Sequence, residues 1–333
     1  MKAIFLDNDI NVINMVYPES TVKKIENAID TDKDIYTKEM VLENAEIFKD
    51  TEYIFSTWGM PVFTDAEVKE YFPKLKCVFY AAGSVQAFAR PFMNNGVKVF
   101  SAWAANAVPV AEYTVAQIIL ANKGFYATSR IFKGKKHSVA REWSCKYLGN
   151  YNAKIGIIGA GMIGKLVINM LKAYNLDVMV FDPFLPEDVA IELGVEKASL
   201  ERIFTECNVV SNHLADNEKT KNMLDYNLFA LMPENATFIN TGRGAQVVEA
   251  DLIRLLNERK DITAVLDVTM PEPPLEDSEL YTLENCILTP HIAGSSGNEV
   301  QRMSEYMAEE FEKYIKNIPC EYEVTYKMLE TMA

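Results

Sequence analysis

Short apolar runs alternate with helix-length amphipathic stretches along the N-terminal third of the chain. Strand-like runs lie at Lys2–Leu6, Tyr53–Ser56, Cys77–Tyr80 and Val97–Phe100, with helical patterning between them at Ser20–Ile29 and Asp65–Tyr71. Apolar strands separated by helices predict a parallel sheet covered on both faces. A long helix is predicted from about Val108 to Tyr126, followed by a polar, basic stretch, Arg130–Lys146, that reads as a surface connection. A second series then begins, with strands at Lys154–Ile158, Asp177–Phe181, Val209–Asn212, Thr237–Asn240, Ala264–Asp267 and Cys286–Thr289. Six strands with interleaved helices is the count of a Rossmann domain. The last helix, about Asn298–Ile315, follows the sixth strand, so it is free to cross back to the first domain with the Pro319–Ala333 tail. The expected class is α/β, with two Rossmann/flavodoxin-like domains built on parallel sheets and linked by two chain crossings. One domain is expected to hold residues 1–104 and 298–333, the other residues 105–297.

Bulk properties narrow the function. The 333 residues exceed the size at which single cores stop growing, which agrees with two domains. The formal net charge is −14, from 33 basic and 47 acidic residues. That balance argues against nucleic acid, which needs a basic footprint. It also repels anions at long range, so an anionic substrate would need a local Arg or helix N-terminus. The five cysteines, Cys77, Cys145, Cys207, Cys286 and Cys320, form no CxxC pair. They suit reduced thiols in a cytoplasm better than a disulfide or zinc framework, and no metal is expected. Met1–Leu6 passes straight into a strand with no signal-peptide layout, and no run of about 18 apolar residues is evident, so no membrane partner is expected.

The sharpest local motif is Gly159-Ala160-Gly161-Met162-Ile163-Gly164, between the apolar run Ile155–Ile158 and a helical run to Tyr174. The first glycine allows a tight turn, the second lets backbone approach a pyrophosphate, and the third permits close helix–strand packing. The new helix presents free N–H groups at Met162 and Ile163 to the anion. Asp182 lies 18 residues after Gly164, at the end of the next strand, where an acid can accept hydrogen bonds from ribose hydroxyls. Pro183-Phe184-Leu185 follows with no cation, so a 2′-phosphate would meet only a carboxylate. NAD is therefore expected over NADP.

Four more polar residues fall at or just after strand ends: Arg243, Asp267, Glu272 and His291. Ligands of open α/β sheets bind outside the carboxyl ends of strands, so these groups could converge. Taken singly, each is more often a solvated charge or a structural histidine than a catalyst. Together they suit carbonyl reduction. A protonated His supplies a proton to the carbonyl oxygen, a carboxylate beside it keeps the ring charged and oriented, and an Arg fork grips a substrate carboxylate.

The segments Asn240-Thr241-Gly242-Arg243-Gly244, Leu266-Asp267-Val268, Pro271-Glu272-Pro273 and Thr289-Pro290-His291-Ile292-Ala293-Gly294 resemble the D-isomer-specific 2-hydroxyacid dehydrogenases, over about residues 97–312. The resemblance implies an NAD-dependent oxidoreductase acting on a small 2-keto or 2-hydroxy acid, with residues 105–297 binding NAD and the rest binding substrate. It implies Arg243 as the clamp on the substrate carboxylate and carbonyl, and His291 as the acid/base paired with Glu272. Asp267 would sit by the nicotinamide carboxamide, and Thr241, Gly242 and Ala293 would also line the cofactor. Ser84 and Val85 align with a loop whose amides hold the carboxylate. A homodimer through the nucleotide domains is implied as well. Trp58 reads either as a substrate wall or as core packing. Two departures stand out: His213-Leu214-Ala215 lacks the family's Pro, and Gly83-Ser84-Val85-Gln86-Ala87-Phe88 lacks its second glycine and following Asp. His213 reads as structural, and Arg141 and Trp143 receive no role. Formate dehydrogenase is disfavoured because that family has Gln in place of Glu272. Dehydrogenation of another small anion such as phosphite, or an NAD-sensing corepressor-like protein, keeps the same triad and stays open.

Overall fold

The computed structural model describes residues 3–330. Lys2, assigned above to the first strand, and residues 331–333 of the tail lie outside them. The chain divides into two compact units, Met1–Asn106 with Ser295–Ala333, and Ala107–Gly294.

The N-terminal unit is built on β1 (Ala3–Leu6), β2 (Thr31–Tyr36), β3 (Tyr53–Ser56), β4 (Cys77–Tyr80) and β5 (Lys98–Ser101). They form one parallel sheet in the order β2-β1-β3-β4-β5. Side chains alternate between its two faces: Ile4 and Leu6 join one apolar cluster, Ala3 and Phe5 the other. β2 escapes the apolar pattern because Thr31-Asp32-Lys33-Asp34 sits at an edge, where charges stay in water. The helix Val300–Ile315 covers one face. Its Phe311 is fully buried, with edge-on ring contacts to Tyr53, Phe55 and Phe79 at 5.2, 5.2 and 5.5 Å. Beyond it the tail pairs antiparallel with β5 at Phe100 and Glu323, and the Val324 amide donates to Val99 O at 2.8 Å. The buried Glu310 carboxylate holds that return by accepting from the Glu321 and Tyr322 amides at 2.8 and 3.0 Å.

The C-terminal unit contains β6 (Tyr151–Ile158), β7 (Asn175–Phe181), β8 (Glu196–Lys197), β9 (Val209–Asn212), β10 (Thr237–Asn240), β11 (Thr263–Leu266) and β12 (Cys286–Leu288). Its sheet is parallel, in the order β12-β11-β10-β9-β6-β7-β8. The strand order reverses between β6 and β9, which is the crevice where such sheets bind nucleotides. The two-residue β8 at the far edge is too short to show a pattern.

The long helix runs from Trp103 to Asn122, and Gly124, at φ +63°, ends it before Tyr126. It is also long and apolar enough to match a membrane span by composition, which corrects the expectation that no such run exists. Its apolar face, Ala111, Val115, Ile118 and Ala121, is packed into the unit's core, which explains the composition without a membrane. The basic stretch is not a plain connection either. It forms helices Phe125–Lys133 and His137–Ser144, each burying one alanine, Ala127 and Ala140, while the charged faces that mask the periodicity stay in water.

Candidate functional site

In the C-terminal unit, the functional groups sit just past the carboxyl ends of β6, β7, β9, β10, β11 and β12. Gly159 turns the chain at φ +92° after β6, and a Cβ there would lie 2.6 Å from His213 O. A Cβ at Gly164 would lie 2.0 Å from Gly159 O, so the helix can approach the turn only without one. Gly161 faces open space and caps Met162–Leu171 with no side-chain partner, leaving the first-turn amides to a ligand. After β7, Asp182 accepts from the Ala160 amide through Oδ2 and the Phe184 amide through Oδ1, both at 2.8 Å. The acid is thereby fixed to the glycine turn and keeps lone pairs for ribose hydroxyls. The open cradle, the uncapped helix terminus and the anchored carboxylate fit NAD.

Beyond β10, a buried amide network shapes the turn that carries Arg243. Asn212 Nδ2 donates to Asn240 Oδ1 at 3.0 Å and to Gln246 Oε1 at 2.6 Å. The Arg243 amide donates to Gln246 Oε1 at 3.2 Å, and Asn240 Nδ2 to Arg243 O at 3.1 Å. The half-buried guanidinium donates through Nη1 to Gly242 O at 2.8 Å. Among the described residues it meets no carboxylate, which leaves its charge for a ligand. Thr241 is buried, its hydroxyl 3.0 Å from that of Thr114.

His291 Nδ1 lies 2.7 Å from Glu272 Oε1, and the two side chains are 47% and 41% exposed. With Nδ1 engaged, Nε2 is the ring atom left for proton transfer. Asp267, expected beside the nicotinamide, spends its carboxylate on the protein. Oδ1 accepts from Thr289 Oγ1 and the Ile292 amide at 2.6 and 2.8 Å, and Oδ2 from the Ala293 amide at 2.9 Å. Ala293 is itself buried.

The first-unit candidates follow β3 and β4. Trp58 is 47% exposed and is not part of the core. Ser84 is exposed, whereas the Val85 side chain is fully buried in the unit's apolar cluster, so only its backbone is left for a ligand. Asp7 went unnoticed in the sequence. It is buried at the end of β1, accepts from the Thr57 amide at 3.1 Å, and leaves no room for a Cβ at Gly59. Burial pushes its carboxyl above the ordinary value, against hydrogen bonds from the Asp9 and Thr57 amides. Asn212 and Gln246 were also missed; the recurring Asn at the ends of β9 and β10 was the available signal.

His213 is buried after β9, with Nε2 2.9 Å from Ser211 Oγ, and burial lowers its pKa to about 4. Burial therefore favours the neutral ring, while the His213 backbone oxygen is what closes on Gly159.

A doubly covered parallel sheet with this turn, acid and His–Glu pair defines a dinucleotide-binding unit equipped for proton transfer. Residues 116–293 match the family model described as D-isomer specific 2-hydroxyacid dehydrogenase, NAD binding domain. The chain is 31% identical over 300 residues to a glyoxylate reductase of Korarchaeum cryptofilum, covering 88% of each. It is 31% identical over 287 residues to a D-3-phosphoglycerate dehydrogenase of Methanocaldococcus jannaschii, covering 84% of this chain and 52% of that one. It thus spans about half the length of one curated relative and most of the other. The fold is shared with D-mandelate dehydrogenase of Rhodotorula graminis, at a TM-score of 0.81 and 17% identity over 97% of both chains. The chain belongs to the D-isomer specific 2-hydroxyacid dehydrogenase family, and its Rossmann unit is that family's NAD-binding domain.

Proposed function

We propose that this protein interconverts a small 2-keto acid and a D-2-hydroxy acid with NAD. The observation that carries the proposal is the 2.7 Å contact between His291 Nδ1 and Glu272 Oε1, half-exposed on a Rossmann unit that binds NAD. Bound NAD supplies the acceptor or donor of the hydrogen that moves with its electron pair. His291 Nε2 takes the hydroxyl proton during oxidation and returns it to the carbonyl oxygen during reduction. Glu272 orients the ring and offsets the positive charge it gains. Arg243 holds the substrate carboxylate with a planar fork and polarises the carbonyl. Asp182 binds the adenosine ribose. Contacts of the first unit with substrate are assigned to Trp58, Ser84 and the Val85 backbone. The five free cysteines suit a reducing compartment such as the cytoplasm. Exposed Phe125, Phe132 and Val139 on the two short helices suit a homodimer face.

The test is NADH oxidation with pyruvate, glyoxylate, hydroxypyruvate, phenylpyruvate and 2-ketoisocaproate. At least one should turn over, and His291→Ala should lose roughly 10²–10⁴ in rate while still binding NADH. NADH binding without turnover of any 2-keto acid overturns the proposal in favour of a sensing role.

A further inference from the structure

His291 adopts φ +54°, a backbone conformation that a residue with a Cβ holds only when its surroundings impose it. Asp267 imposes it. Its backbone oxygen accepts from the His291 amide at 3.0 Å, and its carboxylate gathers Thr289 Oγ1 and the Ile292 and Ala293 amides, on both sides of His291. This carboxylate is buried, and among the described residues no cation pairs with it, so its donors are what stabilise the charge.

The donor order is settled by chemistry. A carboxylate only accepts, so the Thr289 hydroxyl hydrogen points to Asp267. Tyr113 OH lies 3.1 Å from the same Thr289 oxygen and must therefore be the donor. The next residue, Thr114, lies 3.0 Å, hydroxyl to hydroxyl, from Thr241, two residues before Arg243. One turn of the helix Trp103–Asn122 thus hydrogen-bonds to both catalytic turns.

We propose that Tyr113 and Thr114 form a brace, acting through Thr289 and Thr241, that sets where His291 and Arg243 stand. Tyr113, Thr114 and Thr289 are positioning residues, assigned no contact with substrate or cofactor; Thr241, which the family resemblance also sets along the cofactor, enters the brace through its hydroxyl contact with Thr114. The proposal rests on His291 and Arg243 being the acid/base and the carboxylate clamp.

Thr289→Val is nearly isosteric and deletes one donor to a buried carboxylate. It should lower kcat by about tenfold or more, the worth of a hydrogen bond to a charged group, with NADH affinity within about twofold of wild type. Thr289→Ser restores the hydroxyl and should recover kcat to within about threefold. Tyr113→Phe should cost about threefold, and the double variant Tyr113→Phe/Thr289→Val should be no worse than Thr289→Val, because both lie on one chain. A readout independent of turnover is the His291 ring signal in a ¹H–¹³C spectrum. It is assigned by its loss in His291→Ala, since the chain has three histidines. Thr289→Val should shift or broaden that signal, and Thr289→Ser should return it. A ring signal unmoved by Thr289→Val, a serine variant as impaired as the valine one, or a loss that follows NADH affinity overturns the brace. If wild type turns over no 2-keto acid while the ring signal still responds, the brace stands and the proposed function fails.

Discussion

His213 offers a prediction whose sign and size both follow from its surroundings. It is 9% exposed, its Nε2 is engaged by Ser211, and burial alone lowers its pKa from 6.5 to about 4. In the unfolded chain the imidazole takes a proton as pH falls through 6.5; in the folded protein it stays neutral until about 4. Between those values the unfolded state binds more protons, so stability is lost as pH falls. At roughly 1.4 kcal/mol per pH unit, the loss from this one residue reaches about 3 kcal/mol by pH 4. Above pH 6.5 both states are neutral and the contribution is constant. The assay is urea unfolding of wild type and His213→Gln at closely spaced pH values from 7.5 to 4, following the C-terminal unit. Carboxylates common to both proteins cancel in the difference. The stability of wild type relative to His213→Gln should fall by about 3 kcal/mol across the window. A difference that stays flat would show that the ring is not held neutral. A difference that moves the other way would show that the charged form is the favoured one.

Three further outcomes are expected. Arg243→Lys keeps the charge and loses the bidentate fork, so kcat/KM should fall by about 10²-fold or more; near-wild-type kinetics would remove Arg243 as the clamp. With Asp182 on the ribose as proposed, and no Lys or Arg in the Pro183-Phe184-Leu185 segment that follows it, NADH should exceed NADPH in kcat/KM by about tenfold or more, and Asp182→Ala should erase most of that gap; equal use of both cofactors by wild type would refute the assignment. Phe311→Ala removes a fully buried ring that packs on Tyr53, Phe55 and Phe79, and should destabilise the N-terminal unit by about 3–5 kcal/mol in urea unfolding; a loss under about 1 kcal/mol would mean the helix Val300–Ile315 is not anchored there.

Much of this protein was legible along the chain because it is encoded by near neighbours. The glycine turn, the helix it opens and Asp182 lie within one strand–helix–strand unit, so spacing alone identifies a nucleotide cradle. Arg243, Asp267 and His291 each follow an apolar strand, and a parallel sheet delivers every strand's carboxyl end to one edge, so their convergence could be anticipated. Where packing masks or replaces periodicity, the pattern was silent. β2 is charged because it lies at an edge, Arg130–Lys146 hides two helices behind charged faces, and the apolar composition of Trp103–Asn122 reflects a face packed in the core. Only the tertiary structure decided which atoms meet: Nδ1 of His291 with Glu272, the Asp267 carboxylate with the turn around His291, and Tyr113 with Thr289 across 176 positions of sequence. Such contacts join residues with no local relation in the chain, and those of the buried Asp267 carboxylate hold because burial has removed water as the competing partner.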